Sequence, residues 1–338
     1  MKILVTGGLG FIGSHTVVEL QNEGFDVVVI DDLSNAEALV VEGIASITGK
    51  KPEFGKIDLR DKAAVQQFFH KHADVKGVIH FAASKAVGES VEDPLLYYEN
   101  NVGALIYLLQ ELQKKEEAHF IFSSSCTVYG QAGKMPISEE TPVQPALSPY
   151  GNTKQIGEEI ISDVARVSGI SAVLLRYFNP IGAHPSANIG ELPLGVPQNL
   201  VPFITQTAIG LRQQLSVFGD DYDTPDGTCI RDYIHVVDLA KAHVIALKRL
   251  IDKANADKVE VFNLGTGKGS SVLEVINAFE KATGQKLNYK IVPKRPGDVT
   301  EAYADTTKAN DVLGWKSELT LEDALASAWK WEQKVRGK

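Results

Sequence analysis

The sequence predicts an α/β fold: a doubly wound parallel sheet covered by helices on both faces, followed by a smaller C-terminal α+β part. Three observations carry this. Short runs rich in β-branched and aromatic residues alternate with longer amphipathic runs through the first half. A glycine-rich turn separates the first of these runs from the first helical pattern. After Tyr177 the alternation gives way to an irregular stretch at 179–198, rich in proline and glycine.

The strand-like runs lie at 2–6, 26–30, 77–82, 119–123 and 172–177. They are short and apolar on both sides, as strands of a covered parallel sheet are. Helical patterns occupy 11–21, 61–72, 94–114 and 149–168. Strands and helices of these lengths in alternation imply βαβ units with right-handed crossovers. The second half reads as helices at 200–211, 236–250, 271–282 and 321–332, with short strands at 216–218, 261–264 and 287–291. The expected division is 1–180 and 181–338, with the helix at about 236–251 packed back on the first domain.

Composition narrows the class. The chain has 338 residues, 44% hydrophobic and 23% charged, which suits a globular protein with a sizeable core. Acidic residues number 43 against 34 basic ones, a net charge of −9. Such a surface repels nucleic acid and anionic membranes, so a phosphate-bearing ligand needs a local site. The two cysteines, Cys126 and Cys229, are far apart and form no CxxC, and no HExxH occurs. Neither a disulfide framework nor a metal site is expected. No apolar run reaches membrane-spanning length, and glycines interrupt the N-terminal one. The expected location is the cytoplasm.

The glycine turn reads Gly7-Gly8-Leu9-Gly10-Phe11-Ile12-Gly13, a GxxGxxG between strand and helix. In that context glycines let backbone N–H groups approach a pyrophosphate at a helix N-terminus, which marks a Rossmann-type dinucleotide site. Asp31 and Asp32 end the second strand, where a carboxylate accepts hydrogen bonds from the adenine ribose. No Arg adjoins them for a 2′-phosphate, so NAD is expected rather than NADP. Asp58, ending the third strand, fits an adenine contact and a helix N-cap equally well.

Tyr150 and Lys154 stand four apart on a helix begun by Ser148 and Pro149, so they share a face. An ammonium and a nicotinamide cation would favour the phenolate. A phenol starts near pKa ~10 and must fall by about 3 units to act as a base at neutrality, roughly 4 kcal/mol. The Gly265–Ser271 segment lacks phosphate-loop spacing and reads as a turn with Ser270 or Ser271 capping the next helix.

The GxxGxxG start, a Ser after the fourth sheet segment and YxxxK together resemble the extended short-chain dehydrogenase/reductase superfamily. Longer phrases resemble the UDP-glucose 4-epimerase family: TGGLGFIGSHT, HFAASKAVGESV, YYENNV, FIFSSSCTVYG, SPYGNTK, LLRYFNPIGAHPS, RDYIHVVDLA and NLGTGKGSSVLEV. They run in order along nearly the whole chain. The resemblance implies an isomerase that interconverts UDP-glucose and UDP-galactose by transient NAD-dependent oxidation at C4, rotation of the 4-keto sugar and re-reduction. Tyr150 would move the 4-hydroxyl proton, Lys154 would lower its pKa and hold the nicotinamide ribose, and Ser125 would bond the reacting oxygen. The cofactor contacts implied are Gly7, Gly10, Phe11, Ile12, Gly13, Asp31, Asp32, Asn35, Asp58, Leu59, Phe81, Ala82, Lys85, Asn100, Tyr150, Lys154 and Phe178. Lys85, Ser125, Tyr150, Asn179, Asn199, Leu200, Val217, Phe218, Arg231, Arg295, Asp298 and Ala302 would face the UDP-sugar, with Arg231 and Arg295 on the diphosphate. The second domain would thus bind substrate. A homodimer through 94–114 and 149–168 is also implied.

Other readings stay open at this stage. Arg231 beside Asp232 fits a structural ion pair, and Asn179 before Pro180 fits a turn. A dehydratase or decarboxylase of the same superfamily is one alternative function, and a non-catalytic NAD-binding regulator is another. The dehydratases of the superfamily resemble one another in an Asp-Glu pair where this chain has Cys126 and Thr127. Many bacterial epimerases carry a Tyr at the position occupied here by Ala302. That departure implies room for a 2-acetamido group, and so activity on UDP-GlcNAc and UDP-GalNAc.

Overall fold

The computed structural model describes residues 1–295 and 298–337. Pro296 and Gly297, inside the Arg295–Asp298 segment read above, lie outside the described residues.

Seven parallel strands form the central sheet. β1 (Lys2–Thr6) lies beside β2 (Asp26–Asp31), with β3 (Glu53–Lys56) beyond it at one edge. On the other side come β4 (Val75–His80), β5 (Ala118–Ser125) and β6 (Ile170–Tyr177), with Val259–Leu264 at the far edge. The strand order reverses between β1 and β4, which opens a crevice at their carboxyl ends. All eight residues of β5 are buried, His119 and Ser123–Ser125 among them, as befits a strand covered on both faces. Along β1 the side chains alternate: Ile3 and Val5 enter one core, Leu4 the other. The first core includes Val17 and Leu20 of the Phe11–Asn22 helix and Leu247 of the Val236–Ile251 helix. The second contains Phe68, Leu105, Phe120 and Ile161.

A third core lies outside the sheet. Ile204, Val217, Ile276, Phe279 and Leu325 join the helices Leu200–Ala208, Val272–Thr283 and Leu321–Val335 to the paired strands Leu215–Phe218 and Tyr289–Val292. Helix starts follow local chemistry. Ser148 accepts from Gly151 N ahead of Pro149, and Ser271 closes a capping box with Glu274. Among the described residues, no helix is long and apolar enough to cross a membrane.

Several elements differ from the sequence reading. The stretch 94–114 is not one regular helix. It is Pro94–Tyr97, a π-helical turn Tyr98–Gly103, and Ala104–Leu112. The wider turn aims two consecutive side chains at one loop: Asn100 Nδ2 donates to Ser84 Oγ (3.0 Å), and Asn101 Oδ1 accepts from Ser84 N (2.8 Å). The helices Val40–Thr48 and Val87–Glu92 have no counterpart in the sequence reading. The former depends on burying Val41 and Ile44 against the sheet face, a contact that periodicity cannot reveal. The strand near 261–264, assigned to the smaller part, instead completes the large sheet, because its backbone pairs with β6. β3 ends at Lys56, before Asp58, and the helix after it is capped by Asp61 rather than Asp58.

Phe120 lies fully buried in the centre of β5. Phe120→Ala should lower stability by about 3–5 kcal/mol, read as a fall in the urea midpoint at unchanged m.

Candidate active site

The crevice begins at the glycine turn. Gly7 has φ +65°, and a Cβ there would sit 2.7 Å from Ala82 N, so the turn lies directly against the end of β4. A Cβ on Gly13 would meet Gly7 O at 2.3 Å. No side chain caps the Phe11–Asn22 helix, so its first N–H groups face the crevice without a side-chain acceptor. Such a cradle fits a dinucleotide pyrophosphate.

Asp31 is buried and holds this turn in place. Its carboxylate accepts from Leu9 N at 3.1 Å and Leu33 N at 2.9 Å. Burial raises its pKa, with the two N–H groups acting in the opposite direction. Asp32 accepts from Ser34 N and Oγ, and Asn35 is exposed beside it. Asp58 is gripped by Arg60 in a fork, with Nη2 at 2.7 Å, and that pairing lowers its pKa. Arg60 also feels the charge of Asp32, so an Arg does stand near the acidic pair, already engaged by Asp58. Leu59 points its side chain into the second core, away from the cofactor contact expected of it. Phe81 packs against His243 at 4.7 Å between ring centres.

The helix Pro149–Val167 delivers Tyr150 and Lys154 to the carboxyl end of β5. Lys154 Nζ donates to the Ser123 carbonyl at 2.6 Å and lies 4.9 Å from the Phe122 ring centre and 5.9 Å from that of Tyr150. Burial brings its pKa down to about 8. Burial pushes the Tyr150 phenol up to about 12, against the pull of the Ser125 hydroxyl. The lowering expected of Tyr150 draws on Lys154 together with a nicotinamide cation. The ammonium is engaged by the Ser123 carbonyl, and dehydration raises the phenol. Tyr97, buried and bonded to Glu89, stacks edge-on to Tyr150 at 6.5 Å.

The second half closes over this point. Phe178 is buried with Tyr129 and Val128, and Cys126 and Ala302 pack on the same cluster. Asn179 donates its N–H to Asp232 O at 2.9 Å. Asp232 is not the ion-pair partner of Arg231. Its buried carboxylate accepts from Thr266 N, Thr266 Oγ1, Gly267 N and Ala304 N at 2.7–3.2 Å. Arg231 instead reaches Asp298 Oδ1 (2.6 Å), whose other oxygen takes Arg295 (3.1 Å). Arg295 lies 4.6 Å over the Phe218 ring. Val217, next to Phe218, turns its side chain into the third core, as strand alternation requires. Leu200 opens its helix against that core. Lys85 and Asn199 meet on Glu191 Oε1, at 3.5 and 2.7 Å. Glu191 escaped the sequence reading because a lone Glu among glycines and prolines carries no local signal. Asn101 had one, its adjacency to Asn100.

The sheet order, the glycine cradle and the Ser125–Tyr150–Lys154 grouping define an extended short-chain dehydrogenase/reductase, and the family model described as GDP-mannose 4,6 dehydratase matches residues 4–328. The chain is 49% identical to the UDP-glucose 4-epimerase of Bacillus subtilis over 98% of its length and 97% of that protein. It is 48% identical to the mouse (Mus musculus) enzyme over 98% and 96%. A solved UDP-glucose 4-epimerase from Stenotrophomonas maltophila, with bound NAD and formylated UDP-arabinopyranose, superposes with TM-score 0.95 at 47% identity over 100% and 99% of the chains. That from Bifidobacterium longum, in complex with NAD+ and UDP, gives 0.94 at 48% identity over 99% of each. The chain belongs to the UDP-glucose 4-epimerase family.

Asp232→Ala would strip four donors of their buried acceptor. A loss of at least about 3 kcal/mol is expected in urea denaturation, since bonds to a buried charge contribute about 1.5–3 kcal/mol each.

Proposed function

We propose that the chain is an NAD-dependent UDP-glucose/UDP-galactose 4-epimerase. The observation that carries this is the convergence of Ser125, Tyr150 and Lys154 beside the glycine cradle, with Arg231 near enough to Cys126 to influence its thiol. This grouping supports reading one site as a proton-transfer group, a dinucleotide cradle and a diphosphate clamp. Gly7, Gly10, Phe11, Ile12 and Gly13 receive the pyrophosphate, Asp31 and Asp32 the adenine ribose, and Lys154 and Asn100 the nicotinamide half. Bound NAD supplies a hydride acceptor and donor, and its positive ring favours the ionised phenol. Tyr150 takes the 4-hydroxyl proton and later returns it, with Ser125 hydrogen-bonded to the same oxygen. Arg231 and Arg295 suit the diphosphate by charge and by their forked donors. They keep UDP anchored while the 4-keto sugar turns, so binding energy is spent on the remote part of the substrate. The UDP-sugar is assigned to the part after residue 180, apart from the Val236–Ile251 helix and the Val259–Leu264 strand that serve the sheet. Cys126, its thiol pushed up to about 11 by burial, and Thr127 supply no carboxylic acid for elimination.

Ala302 supports broader substrate use. It packs beside Phe178 and Cys126, whereas Tyr303 lies against Gly269, away from that cluster. Successive residues of an extended segment face opposite sides, so Tyr303 does not substitute for a wall at 302. Space at 302 suits UDP-GlcNAc and UDP-GalNAc. A homodimer through 94–114 and 149–168 is supported by Leu95, Ile106 and Val167, apolar side chains left exposed on these segments.

Three measurements test these readings. Tyr150→Phe should lower kcat for UDP-galactose to UDP-glucose conversion by at least ~10²-fold; near wild-type turnover would refute the assignment. Ala302→Tyr should cut kcat/KM for UDP-GlcNAc roughly 10–200-fold more than for UDP-glucose; equal slowing of both would sink the pocket reading. Light scattering at micromolar concentration should return twice the 36.7 kDa chain mass.

A further inference from the structure

Behind Tyr150 and Lys154 lies a buried ion pair that the mechanism above leaves unused. Glu158 follows Lys154 by four residues on the same helix, and so shares its face. Its carboxylate takes Arg176 of β6 in a fork, Nε to Oε1 at 2.8 Å and Nη2 to Oε2 at 2.5 Å. Ser124 Oγ donates to the same Oε1 at 2.5 Å. Ser124 sits between Ser123, whose carbonyl receives Lys154, and Ser125, whose hydroxyl faces Tyr150. The Arg176 guanidinium lies 4.8 Å over the Tyr129 ring. One carboxylate therefore ties β5, β6 and the Tyr150 helix together at the reacting end of the sheet.

Stability is a weak reason for such a pair, since an apolar pair of equal volume often does as well or better. The surroundings of Lys154 suggest another. On its own helix it faces Tyr150 and Glu158. From β5 it faces the Phe122 ring and the Ser123 carbonyl. From β4 comes His80, which burial brings down to about 3 and so keeps neutral. From β6, Tyr177 bonds Ser123 Oγ, and burial raises its phenol, keeping it neutral too. Among the described residues, Glu158 is the anionic group that acts on Lys154, and it opposes the effect of burial.

We infer that Glu158 and Arg176 form a positioning pair: it locks the Ser123–Ser125 strand end beneath the Pro149–Val167 helix and keeps Lys154 cationic in a dry site. This rests on the reading of Tyr150 and Lys154 given above. The sign follows directly. Lys154 is cationic below its pKa, so removing the Glu158 charge brings that pKa down, and the active form is lost at lower pH.

The test is kcat against pH for the NAD-loaded enzyme in four forms: wild type, Glu158→Gln, Glu158→Gln with Arg176→Met, and Tyr150→Phe. Gln keeps the hydrogen-bonding shape and removes the charge. The double variant also buries no unpaired guanidinium, so it carries the test if the single one does not fold. The alkaline limb should move to lower pH by about one unit in Glu158→Gln, and in the same direction in the double variant. A limb that coincides with wild type, even at lowered kcat, means a merely structural pair and overturns the inference. So does failure of both variants to fold. If Tyr150→Phe keeps wild-type turnover, the catalytic reading falls and the inference with it. If Tyr150→Phe is inactive while the Glu158 variants keep the wild-type limb, the inference alone fails.

Discussion

The hydrogen bond from Lys154 Nζ to the Ser123 carbonyl is the contact on which the site depends. It joins a helix to the carboxyl end of a central strand, and it does so with a buried charge. An ammonium without water is costly, and the fall of its pKa to about 8 reflects that cost. What offsets it is local: a carbonyl at 2.6 Å, the face of Phe122 and the carboxylate of Glu158. Because Lys154 is held there, Tyr150, one turn earlier, is held over the same strand end beside Ser125. Strand, helix and the Tyr150 phenol are therefore one rigid unit rather than three parts that meet by chance.

The other half is organised around carboxylates used in a different way. Asp232 spends its charge on backbone and hydroxyl donors, which binds the 265–267 turn and Ala304 to the strand bearing Arg231. Asp298 spends its charge on two arginines at once. Two guanidiniums around one carboxylate leave a net positive point in an otherwise acidic protein, which suits a diphosphate without attracting polyanions in general. Glu191 plays a third part, joining Lys85 from the sheet side to Asn199 from the far side. That contact spans the cleft, so it couples the placement of the two halves.

Where sequence reading and structure diverge, the cause is in most cases tertiary. The π turn at 98–103 follows from the need to aim Asn100 and Asn101 at Ser84, which lies in a loop remote in sequence. Asp61 rather than Asp58 caps the next helix because β3 stops at Lys56 and Asp58 is claimed by Arg60. The phenol of Tyr150 sits near 12 because burial raises it, with the Ser125 hydroxyl acting in the opposite direction. At the π turn a partner from another segment outweighed the local rule, whereas the competitor for Asp58, Arg60, lies two residues away.

The sequence by itself determined the alternation of strands and helices in the first half, the glycine turn between β1 and its helix, and the pairing of Tyr150 with Lys154 on one helical face. These are legible because they depend on spacing within one turn or one strand, where backbone geometry fixes which residues face together. Tertiary structure alone decided that 259–264 completes the sheet, that Arg231 pairs with Asp298 instead of its neighbour Asp232, and that Glu158 reaches Arg176 and Ser124. Those choices join residues far apart in the chain. They depend on which strands pair and which charges are buried together, and local sequence encodes neither.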